Sequence, residues 1–99
     1  MTAPPLILVT DPAFGDAATV HVVRRVAAAL PRGALAVQLR DKKRLIPSLR
    51  VFAAELRAIT REAGAWLIVN GAPQIARDSG ADGVHLGSGA PSRPGGAAP

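Results

Sequence analysis

The stretch ALAVQLRDKKR, residues 34–44, runs a hydrophobic segment straight into five consecutive charged residues, Arg40, Asp41, Lys42, Lys43 and Arg44. Residues 34–39 are apolar at successive positions except Gln38, the pattern of a strand buried in a parallel sheet. Such a strand ending in a dense positive cluster reads as an anion site, with phosphate as the expected ligand. Arg offers a planar fork to phosphate oxygens, and Lys adds a mobile point charge.

The flanking segments repeat the strand and alternate it with helices. Upstream, LILVTD opens with four apolar residues, 6–9, which predict a strand covered on both faces. Pro12 and Gly15 then mark a loop, and Asp16 is placed to cap a helix carrying Val20, Val23, Ala27 and Leu30 at helical spacing. Pro31 and Gly33 stop that helix. Downstream, Pro47 opens a second helix with the apolar stripe Leu49, Phe52, Leu56, Ile59 and Ala63. Glu55, Arg57, Arg61 and Glu62 fall off the stripe, and Gly64 closes the helix. WLIVN, residues 66–70, is a third strand. A short helix from Pro73 to about residue 78 follows, and GVHL, residues 83–86, is the fourth strand. The order β-α-β-α-β-α-β predicts an α/β fold with a parallel sheet and right-handed crossovers.

Ninety-nine residues allow one domain, here residues 1–86. Residues 87–99 hold Gly, Pro, Ala or Ser at twelve of thirteen positions, Arg93 being the exception, and read as a flexible tail. The chain has no cysteine, which excludes disulfides and thiolate metal sites. Its first apolar run is too short for a signal peptide or a membrane span, so no membrane partner and a cytoplasmic location are expected. The net charge of +5 raises nucleic acid as a ligand, but three aromatics offer no stacking platform, and that reading ranks low.

In parallel α/β sheets ligands sit beyond the carboxyl ends of the strands. Polar residues collect there: Thr10 and Asp11, then Gln38, Arg40 and Lys42, then Asn70, then His85. Alternation puts Gln38 and Arg40 on one strand face. An inward Arg is costly without an anionic partner. Gln38 and Asn70 can donate to and accept from a polar heterocycle. A lone His in a Gly-flanked strand is more often a core residue bonded to backbone, yet His85 joins the set by its place at a strand end. His21 and His85 have no metal-ligand spacing, and no dinucleotide or Walker fingerprint is present.

LILVTD, VQLRDKK, WLIVN and GADGVHLG, in this order and spacing, resemble the thiamine phosphate synthase and thiazole tautomerase family. The likeness runs from Leu6 to Gly87. It implies a (β/α)₈ TIM barrel, of which these residues supply four units, half a barrel. It implies a synthase reaction joining a pyrimidine methyl diphosphate to a thiazole phosphate, with release of pyrophosphate and help from Mg²⁺. Phosphorylated thiamine precursors would be the small-molecule partners. By this resemblance Gln38, Arg40 and Lys42 match the residues that hold the pyrimidine diphosphate, and Asn70 matches the family Asn at the end of strand three.

Two departures bear on the metal. The family Asp that follows the Asn is Gly71 here, and no carboxylate lies in SGAPS, residues 88–92, where another is expected. A hard cation without carboxylates is poorly held, which favours a tautomerase-like or phosphate-binding relative. The family chain is also about twice as long, so a truncated product or fragment is expected. A non-catalytic half barrel that self-associates through its open sheet edges is the remaining alternative.

Overall fold

A computed structural model describes residues 3–86. The predicted tail at 87–99 lies outside the described residues, as does the position of the second expected carboxylate. The elements run β1 (Leu6–Val9), a 3₁₀ turn (Pro12–Phe14), α1 (Asp16–Ala29), β2 (Leu35–Leu39), α2 (Ile46–Ala63), β3 (Trp66–Asn70), α3 (Pro73–Ser79) and β4 (Gly83–His85). The four strands form one parallel sheet in the order β1-β2-β3-β4. Val9 pairs with Gln38, Gln38 with Ile68, and Asn70 with His85. The strand ends therefore come to one rim.

The pleat sorts the side chains. Leu35, Val37 and Leu39 of β2, Leu67 and Val69 of β3 and Val84 of β4 face the helices. They pack with Val23 of α1, Leu49, Phe52, Leu56 and Ile59 of α2, and Ile75 and Ala76 of α3. All three helices thus serve one core on one face of the sheet. The other face carries Ile7, Val9, Ala36, Gln38, Trp66, Ile68, Asn70 and His85.

Three sequence expectations change. Among the described residues the first strand is not covered on both faces: Leu6, Ile7 and Val9 are 50%, 54% and 47% exposed, because β1 ends the strand order and Ile7 and Val9 lie on the face without helices. Asp16 is the first helical residue of α1, and Gly15 occupies the cap without a side-chain bond. The Asx cap belongs to Asp11, whose Oδ1 accepts from the Ala13 N–H at 2.9 Å and starts the 3₁₀ turn. Finally, Arg57 is buried although it lies off the apolar stripe. It follows Ala53 by four residues and precedes Thr60 by three, so these three form a second buried row beside the first. Its Nη1 donates to Asp82 Oδ2 at 2.7 Å, and that oxygen also accepts from the Leu67 N–H at 2.8 Å. The pair ties α2 to the entry of β4.

Gly64 ends α2 as expected. Its φ of 69° is left-handed, which a residue with a Cβ adopts only at a cost.

Candidate functional site

At the rim, Thr10 joins β1 to the loop after β2. Its N–H donates to the Gln38 carbonyl at 2.9 Å, and its Oγ1 accepts from the Arg40 N–H at 3.0 Å. Thr10 is buried. It fixes the backbone where β2 hands over to the charged segment, a role the sequence reading had not distinguished from that of a site residue.

The charged segment divides. Arg44 folds back: its Nη2 pairs with Asp16 and its Nε lies 3.3 Å from Asp41 Oδ2. Its guanidinium sits 4.8 Å from the centre of the Phe52 ring, within cation–π range. Asp41 Oδ1 also accepts from the Lys43 N–H at 3.3 Å, which curls the loop. Arg44 thus belongs to the structural frame between α1 and α2. Arg40, Lys42 and Lys43 remain exposed. Among the described residues the Arg40 and Lys42 side chains make no hydrogen bond or ion pair. Arg40 thus stands one residue beyond the end of β2 and is exposed at the rim, rather than turned inward on the strand face as its alternation with Gln38 suggested.

Gln38 and Asn70 are brought together. Asn70 Nδ2 donates to Gln38 Oε1 at 2.9 Å across β2 and β3. Gln38 is buried and Asn70 half-buried. The bond fixes both amides and leaves defined groups over: the Gln38 NH₂ as donor and the Asn70 Oδ1 as acceptor. His85 is the sheet partner of Asn70. It is half-buried, and its Nδ1 is a buried atom without a hydrogen-bond partner among the described residues. The side-chain bond to backbone expected of a core histidine is not made among the described residues. A mixed donor and acceptor row at one end of a parallel sheet, with cations on the adjoining loop, can hold a flat heterocycle that bears an anionic group.

The position after Asn70 is Gly71, with φ 75°, exposed. This left-handed geometry suits glycine, which offers no side-chain oxygen to a cation. Among the described residues no group of three or more His, Cys, Asp or Glu side chains could hold a metal ion. The position after Asn70 thus offers no carboxylate to a magnesium ion. Also among the described residues, no helix is long and apolar enough to cross a membrane.

A larger cavity of about 280 Å³ lies elsewhere, between β1 and α1. It is lined by Leu8, Val9, Phe14, Val22 and Val23 among others, and does not include Gln38, Asn70 or His85. Its apolar walls suit packing better than the binding of a phosphorylated molecule.

Residues 6–92 match the family described as thiamine monophosphate synthase. The chain is 44% identical over 84 residues to a thiamine-phosphate synthase of Methanoregula boonei, covering 85% of this chain and 38% of that protein. It is 45% identical over 83 residues to that of Methanoculleus marisnigri, again covering 38% of the relative. The solved thiamine phosphate pyrophosphorylase from Pyrococcus furiosus superposes with a TM-score of 0.70 at 31% identity, over 82% of this chain and 38% of that one. The four parallel strands with their helices thus correspond to part of a thiamine phosphate synthase barrel, and the chain spans little more than a third of the length of these relatives. On this match the chain belongs to the thiamine monophosphate synthase family.

Proposed function

We propose that this chain is the portion of a thiamine phosphate synthase-type enzyme that binds the pyrimidine methyl diphosphate, acting in the cytoplasm. The Asn70–Gln38 bond of 2.9 Å carries this reading, because it presents a fixed donor and acceptor on the sheet face just below the exposed cations. The Gln38 NH₂ and the Asn70 Oδ1 would grip the ring. Arg40 and Lys42 would reach the diphosphate from the loop, and His85 would line the floor beside Asn70.

In the synthase reaction the bond between the pyrimidine methylene carbon and the diphosphate oxygen breaks. The electron pair leaves with the diphosphate, and the resulting carbocation is captured by the lone pair of the thiazole nitrogen. Negative charge grows on the leaving group, so preorganised cations at its position lower the barrier. Arg40 and Lys42 would supply such cations. In this reading the chain serves the first half of the chemistry: pyrimidine binding and stabilisation of the departing diphosphate.

A second reading, a tautomerase-like or phosphate-binding relative that works without metal, is favoured by Gly71 in place of a carboxylate. Isothermal titration of the 99-residue chain with the pyrimidine methyl diphosphate tests the first reading. Saturable heat that falls at least tenfold in affinity for Arg40→Ala supports it. Equal heat from the variant removes Arg40 from the site, and no heat with the pyrimidine but binding of a thiazole phosphate favours the second reading.

A further inference from the structure

Asp41 stands between Arg40 and Lys42, the two cations assigned to the diphosphate. Its side chain is only 11% exposed. A carboxylate in that place repels an anion drawn to its neighbours, and it competes with the anion for them. Arg44 engages it instead. The Arg44 Nε lies 3.3 Å from Asp41 Oδ2, and its Nη2 pairs with Asp16 in the first turn of α1. The second oxygen of Asp41, Oδ1, accepts from the Lys43 N–H at 3.3 Å. Both oxygens are thus taken up by groups other than the Arg40 and Lys42 side chains.

The same residue fixes the loop. The guanidinium of Arg44 sits 4.8 Å from the centre of the Phe52 ring on α2, so one side chain touches α1, α2 and the segment after β2. At the other end of that segment the Arg40 N–H donates to Thr10 Oγ1 at 3.0 Å. Arg40 and Lys42 therefore project from a short stretch pinned on both sides. Stability is a poor account of this arrangement. The Arg44 side chain is 18% exposed, and its Nη1 is a buried atom without a hydrogen-bond partner among the described residues. Desolvating a cation to that degree offsets much of the attraction in its ion pairs.

We propose that Arg44 is a positioning residue for anion binding: it occupies the Asp41 carboxylate and pins the loop, so that Arg40 and Lys42 meet an incoming diphosphate unopposed. This rests on the assignment of Arg40 and Lys42 to the diphosphate. Arg44 itself does not touch the ligand. Its effect is carried by Asp41, which becomes a local competitor when Arg44 is removed.

Isothermal titration of the 99-residue chain with inorganic pyrophosphate tests this. Arg44→Gln should weaken binding about tenfold, with the far-ultraviolet circular dichroism of the parent retained. Adding Asp41→Asn to Arg44→Gln should return the affinity to within about threefold of the parent, because the competitor is gone. Adding Glu55→Gln instead, at an exposed position of α2, restores the same net charge and should give no recovery. Arg44→Lys keeps a charge beside Asp41 and should lose less than Arg44→Gln. A further reading needs no variant: as pyrophosphate saturates the ¹⁵N-labelled parent, the Arg40 Nε–H resonance should shift and that of Arg44 should stay. Four results overturn the inference and leave the anion site standing, provided Arg40→Ala weakens binding. They are an Arg44→Gln variant that binds like the parent, no recovery with Asp41→Asn, equal recovery with Glu55→Gln, and an Arg44 Nε–H that shifts as far as that of Arg40. A parent that takes up no pyrophosphate, or binds it no better than Arg40→Ala, removes the anion site and this role of Arg44 together.

Discussion

Replacing Asp82 by Ala should destabilise the domain by about 3 kcal/mol, with the cost divided between two orphaned groups. Asp82 Oδ2 accepts from Arg57 Nη1 at 2.7 Å and from the Leu67 N–H at 2.8 Å. Without it, the amide of Leu67 at the start of β3 loses its acceptor, which costs about 1–3 kcal/mol for a buried group. The Arg57 side chain, only 10% exposed, keeps longer contacts of 3.4 Å to the Ala65 carbonyl and 3.5 Å to the Gly80 carbonyl. Breaking a fully buried ion pair costs about 3–5 kcal/mol, but the Asp82 side chain is 36% exposed, so water can approach the guanidinium and the low end of that sum applies. Asp82→Asn keeps an oxygen for Leu67 and loses only the charge, so about 1 kcal/mol is expected. Adding Arg57→Met to Asp82→Ala should recover part of the loss, since a buried unpaired cation is replaced by an apolar stem. Urea unfolding followed by far-ultraviolet circular dichroism at pH 7 measures all three. An Asp82→Ala cost below about 0.5 kcal/mol, or equal costs for Ala and Asn, would refute the division proposed.

Three further outcomes follow from the packing and the rim. Leu56→Ala removes a fully buried side chain at the centre of the core and should cost about 2–5 kcal/mol in the same unfolding assay. Arg40→Ala should leave stability within about 0.5 kcal/mol of the parent, because its side chain is exposed and without a partner among the described residues, while weakening diphosphate binding. Thr10→Val should cost about 1 kcal/mol through loss of the bond to the Arg40 N–H, and the amide of Arg40 should exchange faster with solvent.

Much of the fold was legible because period and punctuation agreed. The third strand, Trp66–Asn70, and the helix ends at Gly64 and Gly80 stand where the sequence placed them. The buried stripe Leu49, Phe52, Leu56 and Ile59 is likewise where its spacing put it. What the sequence hid is the neighbourhood. An apolar run such as Leu6–Val9 looks the same at an edge as in the middle of a sheet, because exposure is decided by the strand that does or does not lie alongside. Arg57 reads as a surface residue until Asp82, twenty-five positions away, comes to meet it. A sharper reading of the Ala53, Arg57 and Thr60 spacing would have found that second row. At the site, the residues of β2 and β3 were readable by alternation, and Gln38 and Asn70 do meet. The cations were not readable as individuals: RDKKR looks like one cluster, yet Arg44 turns inward to Asp16 and Phe52 while Arg40 and Lys42 turn to solvent. A loop's charges are sorted by tertiary partners, which no local period encodes.

The most direct test is a titration of ¹⁵N-labelled chain with the pyrimidine methyl diphosphate, watching the side-chain NH₂ resonances of Gln38 and Asn70. The account predicts that both shift together and saturate, and that Arg40→Ala raises the concentration needed without changing the direction of the shifts. Side-chain resonances of Gln38 and Asn70 that stay still while the ligand binds elsewhere would contradict it.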